Sequence, residues 1–370
     1  MEENANWARE IIQNNELLKE QNAILRQLLC EQNSIFQQLT RVESDEREVF
    51  VENIDHDEMR DGFLVTSQRK KLWNVQIGLI NEVARICKKH NIRWFAGYGT
   101  LLGAARHKGF IPWDDDVDLL MFRPDYDKFQ RVAATEIKAP YFFDNWYNYR
   151  LESEGASLTD PEGDFQFITK QQQINNFGTQ ITYLPMIKIR DSRTCMLEYT
   201  DRNFINQGIW IDIFPLDPVP PFTQKKHATK FEVEKTLLFE TIFSQKTLEE
   251  LQSNENFSND NADSFLALPY RKRGEIFERF MSDNFFPSEY VSNFAIMHYS
   301  PSYKPFKTES FSDVIYLPFE KIEVPAPADY DNALQTCYGD WRTPIYRPSH
   351  VQICSPEISW REYFQKTAFK

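Results

Sequence analysis

Between Gly97 and Asp118 the chain joins a glycine-punctuated turn, Gly97-Tyr98-Gly99-Thr100-Leu101-Leu102-Gly103, to a dense acidic run, Trp113-Asp114-Asp115-Asp116-Val117-Asp118. Few folds accommodate that juxtaposition. In an extended segment side chains alternate, which would put Asp114, Asp116 and Asp118 on one face and turn Asp115 to the other. Trp113, Val117, Leu119, Leu120 and Met121 frame the acids with apolar surface, where uncompensated charge is costly. Carboxylates held together stay ionised only beside something positive, and hard oxygen ligands favour Mg²⁺, Mn²⁺ or Ca²⁺. The adjacent glycines would let backbone amides approach an anion such as a phosphate.

Several other readings of these residues fail on spacing. A calcium loop of the EF-hand type needs glycine at its sixth position and glutamate at its twelfth, where this chain has Leu119 and Asp125, and Pro124 interrupts. Leu102 stands where the third glycine of a dinucleotide-binding G-x-G-x-x-G would be. Walker A, H-E-x-x-H and G-x-S-x-G patterns do not occur. The formal net charge of −13 argues against a nucleic-acid binder relying on a basic surface. Five widely spaced cysteines without a C-x-x-C pair suggest reduced thiols in a cytoplasmic protein. The first residues lack the pattern of a signal peptide, and no apolar run reaches bilayer length, so membrane contact would be peripheral, at the inner face.

Residues 1–61 contain neither glycine nor proline. With heptads set from Ile11, the a positions read Ile11, Leu18, Leu25, Gln32 and Leu39, and the d positions Asn14, Gln21, Leu28, Ile35 and Val42. That seam predicts a coiled coil over residues 1–50 and hence a homo-oligomer, the alternative being one long amphipathic helix packed on its own domain. Residues 51–63 read as a linker, and 64–370 as a mixed α+β domain with a helical insertion at 225–299.

Within that domain the spacing predicts a helix over Val75–His90, a strand over Ile92–Ala96, and a helix over Leu101–Lys108 capped by Thr100. A strand over Val117–Phe122 and a helix over Pro124–Ala134 follow. Phe165–Arg190 reads as a hairpin or meander, and Trp210–Phe214 as a short strand closed by a Pro215–Phe222 loop. From Pro301 onward, frequent proline suggests loops, turns and short strands.

Strand, Gly-Thr turn, short helix and Asp-x-Asp on the next strand together resemble the nucleotidyltransferase fold shared with DNA polymerase β. More closely, GTLLGAARHKGFIPWDDDVDLLM resembles the LicD family, relatives of fukutin that act as phosphocholine and phospho-alditol transferases. KIRDSRT (Lys188 to Thr194), WIDIFPLD (Trp210 to Asp217) and YGDWRTP (Tyr338 to Pro344) also look like LicD blocks, and the resemblance covers roughly residues 70–345.

The resemblance implies that Asp116 and Asp118 are paired metal-binding aspartates, with Asp212 as third ligand or as general base, and Asp114 as a further ligand. The implied cofactor is Mg²⁺, with Mn²⁺ as an alternative. Gly99, Thr100, Arg106, His107, Lys108, Lys188 and Arg190 are then the candidates for contact with a phosphate-rich donor. Asp217 and Asp340 sit in turn-forming surroundings, and Tyr98, Trp113 and Trp341 are among many aromatics that could face a choline head group. The implied activity is transfer of phosphocholine from CDP-choline to a sugar hydroxyl of a cell-surface glycan (lipopolysaccharide or capsule) or its precursor. The alternatives are transfer of ribitol phosphate, glycerol phosphate or a nucleotidyl group, or a non-enzymatic assembly role.

Overall fold

The computed structural model describes residues 48–144, 149–151, 166–168, 186–198, 206–219, 270–283, 285, 287–293, 305–346 and 354–367. The heptad segment, most of the 165–190 hairpin and most of the 225–299 insertion lie outside those residues. The chain divides into Met1–Glu48 and Val49–Lys370, and the second unit is described here.

A short hairpin, β1 (Glu58–Arg60) and β2 (Phe63–Val65), leads into helix α1 (Ser67–His90). Thr66 caps α1 by accepting from Arg69 N at 3.2 Å, and Lys88, Lys89 and His90 close it at the negative end of its dipole. The helix starts well before the expected Val75 because polar Ser67–Lys71 belong to it. Lys70 is fully buried there, its ammonium held by Glu58 at 3.0 Å and the Asn53 carbonyl at 3.2 Å. An amphipathic pattern does not reveal a lysine that faces inward with its partners.

Next come β3 (Phe95–Ala96), α2 (Tyr98–His107), β4 (Asp118–Phe122) and α3 (Arg123–Glu136), with Pro124 in the first turn of α3. After them lie β5 (Tyr141–Asp144), the parallel pair β6 (Tyr149–Leu151) and β7 (Gln166–Ile168), β8 (Ile187–Asp191), β9 (Cys195–Met196) and β10 (Ile209–Val219). Helix α4 (Tyr270–Asp283) precedes β11 (Tyr290–Ser292) and β12 (Phe306–Lys307). Seven strands form one mixed sheet, ordered β12-β11-β10-β4-β3, with β8 also on β10 and β5 on β8. Helices α1 and α3 pack on each other and on β10.

All eleven residues of β10 are buried, and the strand runs through Pro215 and Pro218 instead of ending at Phe214. The ladder explains why. Asp212 N donates to Val117 O at 2.8 Å, so even-numbered residues of β10 turn their N–H toward β4 and odd-numbered ones away. Pro215 therefore faces the gap between β8, paired up to Ile213, and β11, paired from Asp217. Pro218 lies past Leu216, where pairing with β4 stops. Neither proline removes a ladder bond.

The C-terminal part contains more regular structure than its prolines suggest. A hairpin of β13 (Val314–Phe319) and β14 (Ile322–Pro327) is followed by α5 (Tyr330–Tyr338), β15 (Cys354–Ser355) and α6 (Trp360–Thr367). Asp329 caps α5 by accepting from Asn332 N, and Gly339 ends it at φ 67°. Among the described residues no helix is long and apolar enough to cross a membrane.

Candidate functional site

Asp118 opens β4, and Asp212 lies directly opposite it on the parallel neighbour β10. Adjacent strands run about 4.8 Å apart and paired residues share a face, so these two carboxylates emerge side by side. The pairing of residues so distant in sequence follows from the sheet, with Leu119↔Ile213 and Leu120↔Phe214 continuing the register.

Asp114, Asp115 and Asp116 precede the strand in an irregular turn, so the alternation expected over Asp114–Asp118 does not hold. Asp114 N donates to Ile111 O at 2.9 Å, which bends the chain. The bend brings a carboxylate oxygen of each of Asp114, Asp115 and Asp116 within 4.8 Å of the others, including the Asp115 that alternation would have turned away. Helix α1 fixes this turn through its backbone carbonyls. Arg69 Nη1 (2.7 Å) and Trp73 Nε1 (3.0 Å) donate to Asp114 O, and Gln76 Nε2 (2.9 Å) donates to Asp115 O. Sequence reasoning missed this clamp. Its signal is the i, i+4, i+7 spacing of Arg69, Trp73 and Gln76, which marks one helix face carrying donors.

The glycine turn forms the start of α2, packed against the acids. A Cβ on Gly97 would lie 2.7 Å from Leu120 Cγ, and one on Gly99 would lie 2.7 Å from Asp114 Oδ2. Tyr98 between them has φ 36°, an uncommon conformation for an aromatic residue. Thr100 does not cap the helix, which begins two residues earlier with Gly97 as N-cap. It is buried, and its Oγ1 accepts from Asp118 N at 2.9 Å, so its oxygen holds the metal-ligand candidate in place.

Charge crowding is the dominant electrostatic feature. Desolvation, then Asp116, raises Asp114 well above the ordinary carboxylate range; desolvation, then Asp116, Asp212 and Asp114, does the same for Asp118. Asp212 is raised to about 6, by burial first, against the opposing pull of Lys188. Its Oδ2 accepts from Trp210 Nε1 at 3.3 Å, while the buried Oδ1 accepts no hydrogen bond from the described residues. Three clustered carboxylate oxygens, with an unsatisfied one on Asp212 beside Asp118 in the sheet, suit a hard divalent cation.

Residues 91–225 match the family described as LicD/FKTN/FKRP, nucleotidyltransferase domain. That segment of the chain is similar to the LicD family. A lipopolysaccharide cholinephosphotransferase LicD from Haemophilus influenzae is 31% identical over 146 residues, covering 40% of this chain and 43% of that relative. An uncharacterized protein of Rickettsia typhi is 39% identical over 66 residues, covering 18% of this chain and 21% of the relative. The chain thus spans less than half the length of these curated relatives.

Within the LicD-like segment, Lys188 and Arg190 share a face of β8 as expected, paired with Asp212 and Trp210. Their surroundings differ. Lys188 Nζ donates to Glu198 at 2.7 Å and lies 3.4 Å from Asp212 Oδ1, at the edge of the acidic cluster. Arg190 is saturated by Asp144 (2.5 Å), Glu198 (2.6 Å) and the Gly208 carbonyl (3.4 Å), and at 1% exposure it has no open side for a pyrophosphate. Trp210 lies under both cations, with Lys188 Nζ at 4.4 Å and Arg190 Cζ at 5.0 Å from its ring. Glu198, Asp144 and Trp210 were not anticipated as neighbours of the site.

Arg106, His107 and Lys108 are not brought to the carboxylates. They end α2, whereas the acids meet its beginning, about 10 Å away at 1.5 Å per residue. Arg106 donates to the Trp341 carbonyl at 2.7 Å, and His107 pairs with Asp61 at 2.6 Å. Lys108 is the C-cap in the left-handed region, φ 58°, and its carbonyl accepts from Glu320 N at 2.9 Å. Tyr98, Trp113 and Trp341 are largely buried, which leaves little of their faces for a choline group. Asp217 holds Arg123, and Asp340 accepts from Thr343 Oγ1 at 2.6 Å in a turn.

The crowding has a consequence for stability. Asp114, Asp118 and Asp212 titrate higher in the folded chain than in the unfolded one, so the native state binds more protons between about pH 4 and the raised values. Their contribution is fully present below their ordinary range and is lost as pH rises through about 6 for Asp212. The thermal midpoint of the metal-free protein is expected to fall from about pH 5 to about pH 8, and Mg²⁺ to restore more of it at the higher pH. Calorimetry at both values, with and without Mg²⁺, checks this; a midpoint indifferent to pH and Mg²⁺ contradicts it.

Proposed function

We propose that this protein transfers phosphocholine from CDP-choline to a sugar hydroxyl of a cell-surface glycan or its precursor, on a nucleotidyltransferase-like fold with Mg²⁺ as cofactor. The observation that carries the reading is the register of Asp118 against Asp212, with Asp114 and Asp116 at the mouth of the same strands. Lipopolysaccharide as the class of acceptor is taken from the name of the Haemophilus relative.

Asp116, Asp118 and Asp212 would hold the cation, with Asp114 beside them. When bound, it would neutralise phosphate oxygens of the donor and the charge developing on the departing CMP. The chain's own residues do the positioning. Thr100 fixes the backbone of Asp118, the α1 donors fix the turn of Asp114 and Asp115, and Trp210 fixes one oxygen of Asp212. Gly99 in the first turn of α2 packs closely on the Asp114 carboxylate, so a donor phosphate beside Asp114 would meet a helix N-terminus. In the reaction the acceptor oxygen bonds the phosphorus carrying choline, the bond from that phosphorus to the CMP oxygen breaks, and the hydroxyl proton passes to a carboxylate or to solvent.

The purified chain is expected to release CMP from CDP-choline when supplied with Mg²⁺ and a lipopolysaccharide-type acceptor. CDP-ribitol, CDP-glycerol and nucleoside triphosphates run in parallel distinguish the alternatives. Turnover confined to a triphosphate, with diphosphate released, would replace phosphocholine transfer by nucleotidyl transfer.

A further inference from the structure

Glu198 lies just beyond β9, outside every motif of the acidic cluster, yet it touches the cationic side of the site. Its Oε1 accepts from Lys188 Nζ at 2.7 Å, and its Oε2 accepts from Arg190 Nη2 at 2.6 Å. Gln207 Oε1 accepts from Glu198 N at 3.1 Å, which fixes the backbone. Arg190 is also anchored by Asp144, so the group with freedom to respond to Glu198 is Lys188. That ammonium sits between two acceptors: Glu198, at hydrogen-bonding distance, and Asp212 Oδ1, at 3.4 Å without a hydrogen bond. Asp212 Oδ1 is also buried without a hydrogen-bond partner among the described residues, on the residue paired in register with Asp118.

We infer that Glu198 is a positioning residue that draws the Lys188 ammonium off Asp212, leaving Oδ1 open to a divalent cation while the lysine charge stays close enough to temper the acidic cluster. The inference rests on the metal reading of that cluster. Lys188 is a tethered cation competing with a free one for the same oxygen, and Glu198 sets the outcome. Without the Glu198 charge, the ammonium, which already lies over the Trp210 ring, closes the short remaining distance to Oδ1. A direct ion pair in partly desolvated surroundings then opposes metal entry.

Binding of Mn²⁺ alone to the full chain, followed by the paramagnetic resonance of the free ion, tests this without any substrate. Glu198→Gln is expected to weaken Mn²⁺ binding about tenfold. Adding Lys188→Met to it is expected to bring binding back to within about twofold of the wild type, because the competing cation is gone and the net charge is unchanged. A merely structural glutamate predicts the opposite, a double variant at least as impaired as the single one. Equal weakness in both, or no effect of Glu198→Gln, overturns the inference. Should Glu198→Gln not fold, Lys188→Met alone decides: Mn²⁺ bound several-fold more tightly supports the competition, and equal or weaker binding refutes it. A wild-type chain that binds no Mn²⁺ removes the metal reading and this inference together. A chain that binds Mn²⁺ but does not turn over CDP-choline leaves the inference standing.

Discussion

Asp118→Asn is expected to cut Mg²⁺-dependent turnover by about 10²–10³-fold while raising the thermal midpoint of the metal-free protein by about 2–4 °C. Both effects have one cause. Asp118 is pushed far above the ordinary carboxylate range by desolvation and by Asp116, Asp212 and Asp114, so its charge is a liability to the fold when no cation is present. An amide of the same shape removes one charge from the cluster and keeps the backbone bond from Asp118 N to Thr100 Oγ1. The same amide is a poor ligand for a hard cation. Opposite signs for stability and activity separate this outcome from ordinary structural damage, which lowers both. CMP release and differential scanning calorimetry on the same preparation measure the pair. Near wild-type turnover would mean that Asp118 is not part of the machinery.

The second large effect lies at the other end of the same strands. Arg123 is 1% exposed, and its Nε and Nη2 donate to the two oxygens of Asp217 at 2.6 and 2.8 Å. Its Nη1 donates to Glu278 of α4 at 2.5 Å and lies 3.6 Å from Asp127. The guanidinium also lies 5.1 Å from the Tyr126 ring centroid. Arg123→Met would leave Asp217 and Glu278 buried with no countercharge in the fork they now share, at a cost of about 3–5 kcal/mol in urea unfolding. Arg123→Lys is expected to recover little of this, because a single ammonium cannot reproduce the two-pronged geometry. Adding Asp217→Asn and Glu278→Gln to Arg123→Met should restore part of the loss by removing the stranded charges. A loss below about 1 kcal/mol for Arg123→Met would show that these acids find water or other partners. The network also explains Asp217, which the sequence places in turn-forming surroundings and the fold uses to hold Arg123.

The acidic block was readable because its chemistry is local. A glycine turn abutting consecutive aspartates between apolar strands leaves few physical solutions, and β3, α2, β4 and α3 form close to where periodicity puts them. Lys188 and Arg190 were correctly placed on one face because a strand alternates, whatever surrounds it. The errors came where partners lie far away in sequence. Arg106, His107 and Lys108 look like phosphate ligands when read beside the aspartates, but ten residues of helix carry them to the far end of α2. Arg190 looks like a free cation until Asp144 and Glu198 are seen around it. The prolines of β10 read as the end of a strand because the gaps they face are made by β4, β8 and β11.

Residue types and short-range spacing were sufficient for the likeness to the LicD family, the α+β class and the presence of an acidic cluster. The choice among the cations needed the folded sheet. An aspartate cluster is concentrated within a few consecutive residues, so its repulsion and its appetite for a cation are properties of the local chain. A cation's role depends on which carboxylate it meets, and here those meetings span strand pairings and helix ends that no local pattern encodes. Register put Asp212 beside Asp118 and Lys188 beside Asp212, and the partners decided the rest: Arg190 is held by Asp144 and Glu198, while Lys188 lies 3.4 Å from Asp212.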